Sequence, residues 1–173
     1  AGILSKRKLK AHKNDLKKNN YNEIDLVIVN FYPFEKTLKQ SKNHEKILEN
    51  IDIGGPTLVR AAAKNYNDVT IVTSISQYEE LIKNWNENKG ATSLEFRKKA
   101  ALEAFGETAY YESLIFNYFK DISPKEDSKK IILGLNKFEK LRYGENPHQN
   151  GAIYSTSKNL GLEKLNGKQL SYN

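Results

Sequence analysis

Apolar residues first gather at Asp25-Leu26-Val27-Ile28-Val29-Asn30-Phe31, an almost unbroken run rich in β-branched side chains. A run of this kind, without alternation, predicts a strand buried on both faces, the habit of a parallel sheet. Tyr32-Pro33-Phe34 ends it, because proline cannot donate to a central ladder. A second buried strand is predicted over Val69 to Thr73. Between the two, His44 to Asn50 reads as a short amphipathic helix and Ile51 to Pro56 as a loop. A helix is predicted from Thr57 to Asn65, with Leu58, Val59, Ala62 and Ala63 available to pack. Ser76 to Trp85 reads as a further helix, capped by Ser76, with Glu79 three residues on completing a capping box. Leu94 to Phe119 predicts a long aromatic helix that Gly106 and Thr108 interrupt. Ahead of all these, Ser5 to Asn22 is polar and Lys-rich, a solvated helix or loop. Strands alternating with helices predict a layered α/β domain.

The texture changes after Asp121 to Lys130, where Ser, Pro, Lys, Glu and Asp make a linker. Beyond it come short extended pieces such as Ala152-Ile153-Tyr154, separated by Gly and Asn. Two domains are therefore expected, 1–128 and 129–173. No internal repeat is visible.

Composition narrows the class. Of 173 residues, 38% are hydrophobic and 28% charged, enough for a modest core under a heavily charged surface. No apolar run approaches the roughly 20 residues of a membrane-spanning helix, and no leader peptide opens the chain, so a cytoplasmic protein without membrane partners is expected. Cysteine is absent, which excludes disulfides, thiolate catalysis and cysteine-ligated metals. Methionine is absent too, and a chain opening at Ala1-Gly2-Ile3-Leu4 reads as an internal fragment. The net charge of +7 comes almost entirely from lysines spread along the chain; Arg7, Arg60, Arg97 and Arg142 are the only arginines. That balance suits an anionic small substrate. The alternative, a basic non-catalytic nucleic-acid-binding module, rests on charge alone, with no RNA-recognition or zinc-finger signature beside it.

Candidate chemistry lies in two blocks. Asn30-Phe31-Tyr32-Pro33-Phe34 stands at the carboxyl end of a predicted buried strand, where open α/β sheets hold their ligands. Asp52-Ile53-Gly54-Gly55-Pro56-Thr57 leads into a helix, whose N-terminal N–H groups favour an anion or a developing oxyanion. Arg60 and Lys64 fall on one helical face. By spacing alone, these residues read better as a turn, a core tyrosine and a surface lysine.

The blocks themselves tip the balance. Asn30 to Phe34, followed by Glu49-Asn50-Ile51-Asp52-Ile53-Gly54-Gly55-Pro56-Thr57-Leu58-Val59-Arg60-Ala61-Ala62-Ala63-Lys64-Asn65, is similar to the signature of the bifunctional family that combines AICAR transformylase with IMP cyclohydrolase. Gly2-Ile3-Leu4 with Lys6-Arg7 resembles another of its segments. Leu141-Arg142-Tyr143-Gly144-Glu145-Asn146-Pro147-His148-Gln149 resembles the opening of its transformylase half, and Gly167 to Asn173 the segment that follows. The resemblance implies a methylglyoxal-synthase-like parallel-sheet domain without its N-terminal part, then the start of a cytidine-deaminase-like transformylase domain. It implies de novo purine synthesis, with formyl transfer from 10-formyltetrahydrofolate to AICAR and ring closure to IMP, no metal, and purine ribotides as ligands. A homodimer is implied for the complete protein, and little or no activity for this chain alone. For ring closure it singles out Lys64, Asp52 and Tyr32 as catalytic, with Asn30, Ile53, Gly54 and Gly55 holding the base. In the transformylase half it gives Arg142 and Tyr143 to the ribotide and His148 to proton transfer. One departure stands out: where the family usually reads F-E-H-T-A, this chain has Phe105-Gly106-Glu107-Thr108-Ala109.

Overall fold

The run at 25–31 becomes a short strand, β1 (Leu26–Ile28), and Val69 to Thr73 becomes β2 (Thr70–Val72). They pair in parallel, Leu26 against Thr70, Val27 against Ile71 and Ile28 against Val72. The N–H of Val29 extends the ladder to the carbonyl of Val72 at 3.0 Å. β2 is buried throughout, as its run predicts. β1 is not: Val27 is buried but Ile28 is 45% exposed. The computed structural model describes residues 1–123, 128–156 and 165–172.

Helices surround the pair. α1 (Lys10–Lys18) is the solvated Lys-rich segment and buries only Leu16. α2 (Phe34–Gln40) has no periodic signal in the sequence. Pro33 stands at its N-cap, and Phe34 and Thr37 turn inward. α3 (His44–Glu49) is the predicted amphipathic helix; the Asn43 side chain accepts the Lys46 N–H at its start. α4 (Gly54–Lys64) begins three residues earlier than the Gly-Gly-Pro turn suggests, so both glycines lie in its first turn. The cap expected at Ser76 sits at Ser74 instead, over a 3-10 turn (Ile75–Gln77) that leads into α5 (Tyr78–Glu87). Gln77, not Glu79, closes the box: its Oε1 accepts the N–H groups of Thr73 and Ser74 at 2.8 and 2.9 Å.

α6 (Leu94–Ile122) runs unbroken through Gly106 and Thr108. A side chain at Gly106 would meet open space, and Thr108 turns its hydroxyl to the Phe105 carbonyl within the helix. The core joins Val27, Ile71 and Val72 of the sheet, and Val69 just ahead of β2, to Val59, Ala62 and Ala63 of α4 and to Ala100, Ala101 and Ala104 of α6. Alanines at these positions let the helix backbones come close, and the fit is dense enough for a single methylene to be felt.

The chain folds as two compact units, Ala1–Ile115 and Phe116–Asn173. In the second, β3 (Asn136–Lys140) pairs antiparallel with β4 (Ala152–Ser155), with a bulge between Lys137 and Glu139. Part of the expected linker, residues 124–127, lies outside the described residues, as does Asn173.

Candidate functional site

Of the residues singled out in the first unit, all but Lys64 lie on the segment that follows β1 and on the Asp52–Gly55 segment that joins it. Leaving β1, the chain passes Asn30, which is exposed, and Tyr32, whose phenol faces solvent at 58% exposure. Asp52 is half-buried and ties two segments together. Its Oδ1 accepts the N–H of Gly55 at 2.7 Å and its Oδ2 accepts the N–H of Tyr32 at 3.3 Å. The first bond has the geometry of a helix cap, with a carboxylate placed against the positive end of α4. The second fixes the turn that carries Tyr32. Both oxygens keep a lone pair free for a ligand.

The glycines play unequal parts. An added Cβ on Gly55 would lie 2.5 Å from Oδ2 of Asp52, whereas one on Gly54 meets nothing within 4 Å. The close approach that needs glycine is therefore made to the protein's own carboxylate. Gly55 gives its N–H to Asp52, and Pro56 has none to give, so the N-terminus of α4 offers a ligand fewer donors than the sequence suggests. Ile53 is 75% exposed beside them.

Lys64 stands apart from this group. It ends α4, about 15 Å along the axis from Gly54 at a rise of 1.5 Å per residue. There it lines a depression with Lys6, Lys8, Asn65 and Arg97. Arg60, one turn earlier, stacks on Phe105 at 6.0 Å from the ring centroid.

One residue of α6 reaches the site region without any signal in the local sequence pattern. Tyr111, 4% exposed, meets the backbone of the Asn50–Asp52 segment with its hydroxyl. Glu107, on the same helix, is exposed, yet its carboxyl is raised above its usual range, first by desolvation from its neighbours and then by the charge of Glu35. A folded-state pKa above the unfolded value makes ionised Glu107 destabilising, and the penalty fades as pH falls through that raised pKa. Glu107→Gln should therefore raise the thermal midpoint slightly at neutral pH, since solvent screens an exposed carboxyl. The gain should shrink as pH falls through that raised pKa and vanish below the ordinary carboxyl range, which melts of both proteins across pH 4–8 would check.

In the second unit Arg142, Tyr143 and His148 share the connection between β3 and β4. Gly144 donates to Gln149 at 2.7 Å and Gln149 to Asn146 at 2.9 Å, closing the turn that exposes His148. The Arg142 N–H reaches the Leu170 carbonyl at 2.8 Å, and its guanidinium lies 5.0 Å from the Tyr143 ring centroid. Hydrogen bonds, from Ser171 first and then Arg142, lower the Tyr143 phenol below its usual value. Among the described residues no group of three or more His, Asp or Glu side chains is placed to hold a metal ion. None of the helices described is long and apolar enough to cross a membrane.

Comparison with known proteins points to one family. Residues 62–173 match the family model described as AICARFT/IMPCHase bienzyme, and residues 3–57 match the MGS-like domain. The bifunctional purine biosynthesis protein PurH of Clostridioides difficile is 46% identical over 99% of this chain and 34% of its own length. Its namesake from Lactobacillus acidophilus is 45% identical, again over 99% of this chain and 34% of its own length. The chain thus spans about a third of the length of these curated relatives. A solved structure described as the crystal structure of ForH superposes with a TM-score of 0.58 at 26% identity, over 68% of this chain and 61% of that one.

Proposed function

Since the chain belongs to the AICARFT/IMPCHase bienzyme family, we propose that it carries part of an enzyme that formylates AICAR and closes the product to IMP. Near-complete coverage at 46% identity by a relative named for bifunctional purine biosynthesis is the observation that carries this reading. In ring closure the carboxamide nitrogen attacks the formyl carbon, a C–N bond forms, and the formyl oxygen departs as water after protonation. Such a step requires proton transfer and a held oxyanion. Asp52 orients or deprotonates the carboxamide through the lone pairs that Gly55 and Tyr32 leave open. The exposed Tyr32 phenol assists from the adjoining turn, while Asn30, Ile53, Gly54 and Gly55 hold the base.

Lys64 has the least geometric support, because the length of α4 separates it from Asp52. The proposal leaves it the formyl oxygen or a proton shuttle. In formyl transfer from 10-formyltetrahydrofolate, Arg142 and Tyr143 hold the ribotide and His148 moves a proton. The proposed domains are a cyclohydrolase portion over 1–128 and the start of a cytidine-deaminase-like transformylase over 129–173, in a cytoplasmic homodimer.

The test extends the chain at both ends to the relatives' length and follows IMP formation from formylated AICAR by absorbance. The extended protein should turn over and its Lys64→Ala variant should be inactive. A folded, silent extended protein overturns the assignment; full turnover in Lys64→Ala removes that lysine from the mechanism.

A further inference from the structure

We infer that Tyr111 is a positioning residue for the Asp52 carboxyl, its hydroxyl holding the Asn50–Asp52 backbone while its ring holds the turn that carries Tyr32. The inference rests on the reading of Asp52 and Tyr32 as the ring-closing pair, and it adds a residue that acts through them.

The hydroxyl of Tyr111 accepts the N–H of Asp52 at 2.7 Å and donates to the carbonyl of Asn50 at 3.2 Å. A phenol has one proton, so its only donor is committed to Asn50. The ring lies 5.0 Å from that of Phe31 and 5.9 Å from that of Phe34, in tilted and edge geometries that aromatic pairs favour. Phe31 and Phe34 bracket Tyr32 and Pro33. A single side chain, delivered fifty-nine positions along the chain, thus touches both segments that Asp52 bridges through its Oδ2 contact with Tyr32. Removing the hydroxyl would leave the Asp52 N–H and the Asn50 carbonyl without their partner inside the fold. Burial, the largest influence, lifts the phenol above its ordinary range, so it stays protonated at neutral pH and serves as a spacer.

Tyr111→Phe keeps the ring and removes only the hydroxyl, which makes it the discriminating variant. In the extended protein kcat should fall about 10- to 100-fold with KM changed less, the expected penalty for a catalytic group out of place. Asp52→Asn made in the Tyr111→Phe background should cost much less than it does alone, because both changes act on one carboxyl. In the 173-residue chain, amide exchange at Asp52 should speed up while β2 stays protected. Additive losses, or wild-type kcat with unchanged exchange, overturn the inference. If the unsubstituted extended protein forms no IMP, the functional reading fails instead, and the exchange measurement alone decides whether Tyr111 holds this segment.

Discussion

Asp52→Asn is expected to lower ring-closing turnover by about 10²- to 10⁴-fold, the span of general acid–base contributions, with little change in stability. The amide oxygen can still accept the Gly55 N–H, so the cap of α4 survives. Its NH₂ group then faces the Tyr32 N–H, and the longer contact of 3.3 Å is lost. One such bond is worth about 1 kcal/mol. Asp52→Ala removes both acceptors, which adds the typical loss of about 1 kcal/mol for a missing helix cap. Turnover and urea midpoints of the extended protein separate chemistry from capping. If Asp52→Asn keeps its turnover and only Asp52→Ala loses it, the carboxylate is a cap and the proposed acid–base role is wrong.

The second large effect concerns two adjacent glycines. Gly55→Ala places a methyl group 2.5 Å from Oδ2 of Asp52 and 2.9 Å from Cγ and Oδ1. The carboxylate must swing aside and give up its hold on both N–H groups. Turnover should therefore fall nearly as far as in Asp52→Ala. Stability should move little, because alanine's helix preference, up to about 1 kcal/mol over glycine, offsets the weakened cap. Gly54→Ala enters open space and should raise the urea midpoint slightly. Equal turnover in wild type and Gly55→Ala would mean that the carboxylate does not need its observed place.

The contrast between these glycines shows where reading the sequence stops. Gly-Gly-Pro marks a turn by local chemistry, but Asp52 caps the following turn and Pro56 is tolerated there because an N–H near a helix start has no partner to lose. The helix could therefore begin at Gly54 and not at Thr57. Both strands are legible, because buried β-branched runs leave a local imprint. The cap at Ser74 is not, since Gln77 is held from outside the segment by the hydrogen bond its side-chain NH₂ donates to Glu103 of α6. Tyr111 is hidden for the same reason: nothing near it in sequence tells that its hydroxyl will meet Asn50 and Asp52. Asp52 and Tyr32 stand out through their motif, and they do meet. The same motif names Lys64, which the axis of α4 carries away from them.

The pairing of Leu26 with Thr70 has a consequence for the order in which the molecule acquires its parts. Tyr32, Asp52 and α4 all lie inside the loop which that pairing closes. Loop closure costs chain entropy before the strands return anything, so contacts of this kind form slowly. The helices inside that loop are too short to persist by local interactions alone. The fixed spacing of carboxylate and phenol is therefore a property of the closed loop and of no helix within it.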